Sequence, residues 1–259
     1  MEPVLQVKNL SRHFGGLTAV ANVSFDIQPG ELIGLIGPNG AGKTTLFNLL
    51  TGVYEPSEGL IEMDVDGKPT QIGGLPPYKI TDLGVARTFQ NIRLFREMTV
   101  LENVKVAMHR NIRYGVISAI LRLPKYYSEE RWVEEKACEY LKEVGLYAKR
   151  NELSVNLPYG EQRKLEIARA LAIQPKILYL DEPAAGMNPQ ETADLTALIH
   201  RIRKKYGLTV ILIEHDMSLV MKICERIFVL DYGKLIASGS PEEIRKNEFV
   251  IKAYLGEEI

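Results

Sequence analysis

Leu32-Ile33-Gly34-Leu35-Ile36-Gly37-Pro38-Asn39-Gly40-Ala41-Gly42-Lys43-Thr44-Thr45 is the stretch that decides the fold. Its first five residues are a continuous apolar run, which suits a strand buried on both faces of a parallel sheet. Residues 37–44 then match the pattern GxxxxGK[ST] in full. Such a loop, here Gly37, Pro38, Asn39, Gly40, Ala41 and Gly42, wraps a polyphosphate with its amide N–H groups pointing inward. The helix that follows offers the positive end of its dipole. Lys43 is then placed to reach the β- and γ-phosphates, and the Thr44 hydroxyl to ligand Mg2+, with Thr45 next in the helix. A full match after a buried strand and before a helix outweighs its reading as an ordinary glycine turn.

Outward from this loop, the N-terminal side reads as short strands at 4–7 and 20–27, the second with Val23, Phe25 and Ile27 alternating. On the other side, Asp66-Gly67 marks a hairpin turn. The middle of the chain turns helical. Thr99-Val100-Leu101-Glu102 is a capping box opening a helix to about Met108, and a second helix is expected over 128–144, ended by Gly145. A third is expected from Glu161 to Ile173, stopped by Pro175. Beyond Pro175 strands at 177–180, 208–213 and 227–230 alternate with helices after Pro189 and Asp216, which implies crossover units and a parallel sheet. Asn188 is the expected cap of the helix after Pro189.

The strand at 177–180 ends in Asp181-Glu182, and strand ends of open parallel sheets are where ligands bind. There Asp181 can hold Mg2+ through water and Glu182 can orient or deprotonate an attacking water.

Composition narrows the classes further. The 259 residues carry 32 Lys and Arg against 33 Asp and Glu, a formal charge of −1, which argues against a dedicated nucleic-acid binder. The two cysteines, Cys138 and Cys224, form no CxxC pair, so neither a disulfide framework nor a zinc site is expected. No apolar run reaches the roughly 18 residues of a membrane span, and the N-terminus lacks the pattern of a signal peptide. Any membrane role is expected to be peripheral.

Taken together, these motifs resemble the ATP-binding subunits of ABC transporters over nearly the whole chain. Gln90, in Thr88-Phe89-Gln90, stands where that family has the Q-loop glutamine that reaches the metal and the attacking water. His215, in Ile213-Glu214-His215-Asp216, matches the switch histidine, and Phe14 the aromatic that stacks on adenine. Leu157-Pro158-Tyr159-Gly160-Glu161-Gln162 occupies the place of the signature LSGGQ, and Ala185-Gly186-Met187-Asn188 that of the D-loop. The resemblance implies an α/β fold: a P-loop NTPase core with a parallel sheet, an N-terminal antiparallel β subdomain and an inserted helical subdomain. Residues 1–259 then form one nucleotide-binding domain. Its core is 1–90 and 170–259, and a helical insertion over about 91–169 carries the signature at its end.

The implied activity is ATP hydrolysis with ATP and Mg2+. Glu182, His215, Gln90 and Lys43 act in catalysis; Thr44, Gln90 and Asp181 serve the metal. Phe14, the loop from Gly37 to Thr45, and Tyr159, Gly160 and Glu161 hold nucleotide. Pro158 departs from the signature, having neither the serine hydroxyl nor a backbone N–H.

A finer resemblance, in Gly84 to Asn103 (GVARTFQNIRLFREMTVLEN), in 182–189, in 214–217 and in the ending Ala253-Tyr254-Leu255-Gly256-Glu257, is to the LivG-type ATPases of branched-chain amino acid importers. It implies membrane permease subunits, a second ATPase subunit and, indirectly, a periplasmic binding protein as partners, at the cytoplasmic face of the inner membrane. Amide or urea importers and a lipopolysaccharide exporter are rivals within the class. A P-loop phosphotransferase, or an ABC ATPase acting on nucleic acid, is the rival outside it.

Overall fold

The structure, a computed structural model, describes residues 2–111, 115 and 120–255. The apolar stretch Val116-Ile117-Ser118-Ala119 and the ending Gly256-Glu257 lie outside the described residues.

In chain order the elements begin β1 (Leu5–Phe14), β2 (Leu17–Ile27), β3 (Leu32–Ile36), α1 (Lys43–Leu50), β4 (Glu58–Val65), β5 (Lys68–Gln71), α2 (Pro77–Asp82) and β6 (Val85–Arg87). The helical middle supplies α3 (Val100–Ala107), α4 (Pro124–Glu143) and α5 (Tyr159–Ala172). The alternating last third is β7 (Ile177–Asp181), α6 (Pro189–Tyr206), β8 (Thr209–Ile213), α7 (Met217–Ile223), β9 (Arg226–Asp231), β10 (Lys234–Gly239), α8 (Pro241–Lys246) and α9 (Glu248–Leu255). The described residues fall into two compact units. The first holds the residues up to Arg87, Lys176–Glu182 and those from Arg203 onward; the second holds 88–175 and 183–202.

The first unit contains two sheets. One is antiparallel, in the order β2-β1-β4-β5; the other has the order β10-β9-β3-β8-β7-β6. Within the second, β9, β3, β8, β7 and β6 pair in parallel. Every residue of β3, β7 and β8 is buried, which explains their apolar runs, broken only by Asp181 at the end of β7 and Thr209 at the start of β8. The edge strand β10 runs antiparallel to β9. Tyr232 (φ 42°) and Gly233 (φ 75°) close that hairpin, and two left-handed residues make the type I′ turn that joins adjacent antiparallel strands. Phe47 of α1 packs edge-on to Tyr179 of β7 at 5.1 Å, with Leu46, Leu49 and Leu50 beside it in the core.

β1 extends to Phe14, beyond the four residues its alternation suggests. Register shifts between Val7 and Leu10, with Asn9 at φ 50°, break the period of two and hide the strand from a pattern reading.

The second unit is helical. Thr99 caps α3 in the expected capping box, and the Asn103 side chain, fully buried, bonds the carbonyls of Phe95 and Thr99 and the Phe95 N–H. α4 begins at Pro124, four residues earlier than its apolar stripe suggests, because proline suits a first helical turn. α5 begins at Tyr159, with Pro158 in the cap position, two residues ahead of the expected start. Asn188 caps α6 reciprocally with Glu191, at 2.9 and 3.0 Å. Among the described residues no helix is long and apolar enough to cross a membrane.

Candidate functional site

The turn after β3 builds a cleft of about 470 Å³ in the sheet unit. Its lining includes Phe14, Asn39 to Thr45, His215 and Tyr232. The loop's glycines are required by geometry. Gly37 (φ 151°) leaves no room for a side chain, since a Cβ there would lie 2.1 Å from the Leu230 carbonyl oxygen. Gly42 (φ 98°) is similarly closed off by the Ala19 carbonyl at 2.4 Å. The loop is locked from below by the β9–β10 hairpin: the Gly233 N–H donates to the Ala41 carbonyl at 2.9 Å, and the Ala21 N–H to the Gly233 carbonyl at 2.8 Å.

Lys43 is buried, and its ammonium donates to the carbonyls of Gly37 and Pro38 at 2.7 and 2.8 Å. Burial holds its pKa below the ordinary lysine value, opposed by the charge of Glu182. Phe14 is 39% exposed; Tyr54 meets it edge-on at 5.3 Å, and the Arg12 guanidinium lies 4.6 Å from its ring centre. A ring braced in this way can stack on a flat ligand in the cleft.

The C-terminal end of β7 carries the acidic pair. Asp181 is buried and ion-pairs with Arg87 at 2.8 Å. The same guanidinium donates to Asn48 Oδ1 at 2.7 Å and Thr51 Oγ1 at 3.0 Å, which ties β7 and β6 to α1. Glu182 follows with φ 45°, a left-handed conformation costing a side-chain-bearing residue about 1–2 kcal/mol. Its N–H donates to the Ile213 carbonyl at 2.9 Å, and its Oε1 lies 2.8 Å from His215 Nε2. Asp216 caps α7 through the Ser218 and Leu219 amides, which fixes the backbone beside His215. Strain at a carboxylate facing a histidine, on a strand end, is the mark of a reactive position.

Among the described residues no three His, Cys, Asp or Glu side chains are arranged to hold a metal ion by themselves. The oxygens on offer are the Thr44 hydroxyl and the Asp181 carboxylate. A few hard donors of this kind fit Mg2+ that arrives with its nucleotide and keeps phosphate and water ligands.

The other expected residues lie in the helical unit. Gln90 is exposed, and its carbonyl accepts from Arg163. Tyr159 and Gly160 open α5. Glu161 turns both carboxylate oxygens to Lys149, at 2.8 and 2.6 Å, so its charge is paired within this unit. The structure therefore gathers Phe14, Gly37 to Thr45, Asp181, Glu182 and His215 in one unit, and Gln90, Tyr159, Gly160 and Glu161 in the other. It also adds Leu17, Thr18, Ala19 and Tyr232 to the cleft and Arg87 to the acidic strand end. No local motif marks these, although Asp231-Tyr232-Gly233 is legible as a turn.

Comparison with known proteins gives the family. Residues 20–185 match the family described as ABC transporter, and residues 234–259 that described as branched-chain amino acid ATP-binding cassette transporter. The chain is 49% identical over 256 residues to the high-affinity branched-chain amino acid transport ATP-binding protein LivG of Escherichia coli, covering 99% of each. It is 50% identical over 255 residues to BraF of Pseudomonas aeruginosa, similarly described, covering 98% of each. Among solved structures, the ADP conformation of MJ1267, an ATP-binding cassette of an ABC transporter, aligns with a TM-score of 0.84 at 29% identity, covering 99% of this chain and 100% of that one. The chain belongs to the ABC transporter ATP-binding family and is an ATPase.

Proposed function

We propose that the protein is the ATP-hydrolysing motor of a membrane importer for branched-chain amino acids, bound to its permease subunits at the cytoplasmic face of the membrane. For the cargo, the observation that carries the reading is the identity of about one half to LivG and BraF over nearly the full chain, together with the match at 234–259. For the chemistry, it is the Glu182–His215 contact of 2.8 Å at the end of β7.

ATP enters the cleft with its base on Phe14 and its phosphates in the loop from Gly37 to Thr45. Phosphate oxygens take over the Lys43 ammonium from the Gly37 and Pro38 carbonyls, which places the one buried lysine of the loop against developing negative charge. Thr44 and Asp181 would hold Mg2+, and Gln90 keeps the metal role that the family resemblance implies for it. When bound, Mg2+ neutralises charge on the β- and γ-oxygens. Glu182 orients a water against the γ-phosphate and receives its proton, and His215 fixes the Glu182 carboxylate and contacts the phosphate being transferred.

A second ATPase subunit supplies the segment Tyr159-Gly160-Glu161 across the nucleotide. With Pro158 in place of serine, that segment offers the α5 amides and helix dipole but no hydroxyl. Closure of the pair on ATP and reopening after hydrolysis drive the permeases.

The test is uptake of labelled leucine, isoleucine and valine by vesicles holding the permeases, with a periplasmic binding protein supplied. Wild-type protein should support uptake and Lys43→Ala should abolish it. ATP hydrolysis without branched-chain uptake in that system would refute the cargo and leave the ATPase standing.

A further inference from the structure

Tyr159, Arg163 and Glu166 recur along one side of α5, and all three turn toward backbone that belongs to no helix or strand. The Arg163 guanidinium donates through Nη1 to the Phe89 carbonyl at 2.6 Å and to Glu166 Oε2 at 3.2 Å. Through Nη2 it donates to the Gln90 carbonyl and, at 2.9 Å, to the Tyr159 hydroxyl. Glu166 Oε1 accepts from the Arg93 N–H at 2.8 Å, and Arg169 donates to the Arg93 carbonyl. Arg163 is 2% and Glu166 5% exposed. A buried ion pair is a poor source of net stability, because desolvation offsets most of its attraction. Here the pair satisfies main-chain groups of an irregular segment, which gives it a different use. The Tyr159 ring lies beside the D-loop: a Cβ built on Gly186 would be 3.6 Å from Tyr159 Cε1.

We propose that Arg163 is a positioning residue for Gln90, and that with Glu166 and Tyr159 it joins the Q-loop, the signature segment and the D-loop of this chain into one piece. The tyrosine that replaces the first signature glycine is thereby explained: its hydroxyl closes the junction at the tip of α5. A planar fork is needed, because two adjacent carbonyls, a carboxylate and a phenol are served by one group, and lysine cannot reproduce that. Engagement of the signature segment with nucleotide would then move Gln90 with it. This last step rests on the role proposed for Gln90 at Mg2+.

The experiment uses the full chain with the variants Arg163→Lys, Arg163→Met/Glu166→Met and, as reference, Gln90→Ala. Hydrogen exchange of residues 88–94, thermal melting and the Mg2+ dependence of ATP hydrolysis are measured on each. Arg163→Lys should speed exchange in 88–94 and raise the Mg2+ concentration for half-maximal turnover about tenfold, the lower end for loss of an outer-shell partner. The double variant removes both charges of the pair together, so it should still unfold cooperatively, below wild type by what the stranded 89–93 main-chain groups cost, and keep the altered exchange and metal response. Wild-type exchange in 88–94 for both variants would overturn the junction. Altered exchange with wild-type Mg2+ dependence, in a protein where Gln90→Ala does shift it, would overturn the positioning role. Gln90→Ala with wild-type metal dependence would refute the role of Gln90 itself, and with it that step, while the exchange result still decides the junction.

Discussion

Glu182→Gln separates binding from chemistry at the strand end. Glutamine keeps the length of the side chain and its contact with His215, and removes the negative charge and with it the capacity to take a proton. Loss of a positioned general base costs about 10²–10⁴ in rate, or roughly 2.7–5.5 kcal/mol of barrier. The left-handed backbone at 182 is occupied in the wild type already, so its strain cancels between wild type and Gln. Glycine cancels it differently. Glu182→Gly has no Cβ to strain and should melt higher, by up to about 1 kcal/mol, while losing turnover to the same extent. Steady-state phosphate release gives kcat, fluorescent-nucleotide titration gives Kd, and a melting curve gives stability. The expected triad is kcat down at least a hundredfold, ATP Kd within about twofold, and the Gly variant the most stable of the three. A Gln variant retaining a tenth or more of wild-type turnover would refute the base role. A Gly variant less stable than wild type would refute the strain.

Further outcomes follow from three other residues, Lys43, Arg87 and Pro158. Lys43 has its pKa lowered by burial, so ATP affinity should fall on the alkaline side before an ordinary lysine would lose its proton, as a titration of Kd against pH would show. Stability has the opposite sign: between the lowered folded value and the ordinary one the unfolded chain binds more protons, so this group makes the fold more stable as pH rises, visible in melting with Lys43→Met as reference. Arg87→Met removes the ion-pair partner of the buried Asp181 and should cost about 3–5 kcal/mol in chemical denaturation, whereas Arg87→Met/Asp181→Leu should recover most of it. Pro158→Ser restores a hydroxyl and an N–H at the α5 cap, so ATP-driven association in a Glu182→Gln background should tighten; unchanged or weaker dimerisation by light scattering would count against the signature assignment.

What could be read in advance was local in the chain. The loop from Gly37 to Thr44, the end of β7 and the caps at Thr99 and Asn188 each lie within about eight residues, where backbone geometry dictates residue type directly. Features that join distant segments were silent. Arg87 is 94 residues from Asp181, and nothing around Val85-Ala86-Arg87 marks the arginine as a partner. Arg163 reads as one more charge on a helical face until the irregular backbone at 89–93 is seen against it. β1 reads as shorter than it is for the opposite reason: its bulges disturb an otherwise plain local signal.

These silent partners bear on how a chain of net charge −1 handles a polyanion. Arg87, Arg163 and Lys149 are each committed to oxygens of the protein: Asp181, the 89–90 carbonyls with Glu166, and Glu161. None is spent on raising the field of the cleft. Lys43 is the exception, because neutral carbonyls hold its ammonium and an arriving phosphate can outbid them at close range. An attraction built from one such exchange and a ring of amides is short-ranged. ATP Kd should therefore depend only weakly on salt. A steep dependence, of the kind that counterion release produces on nucleic acid, would mean that surface cations do the binding and that Lys43 does not.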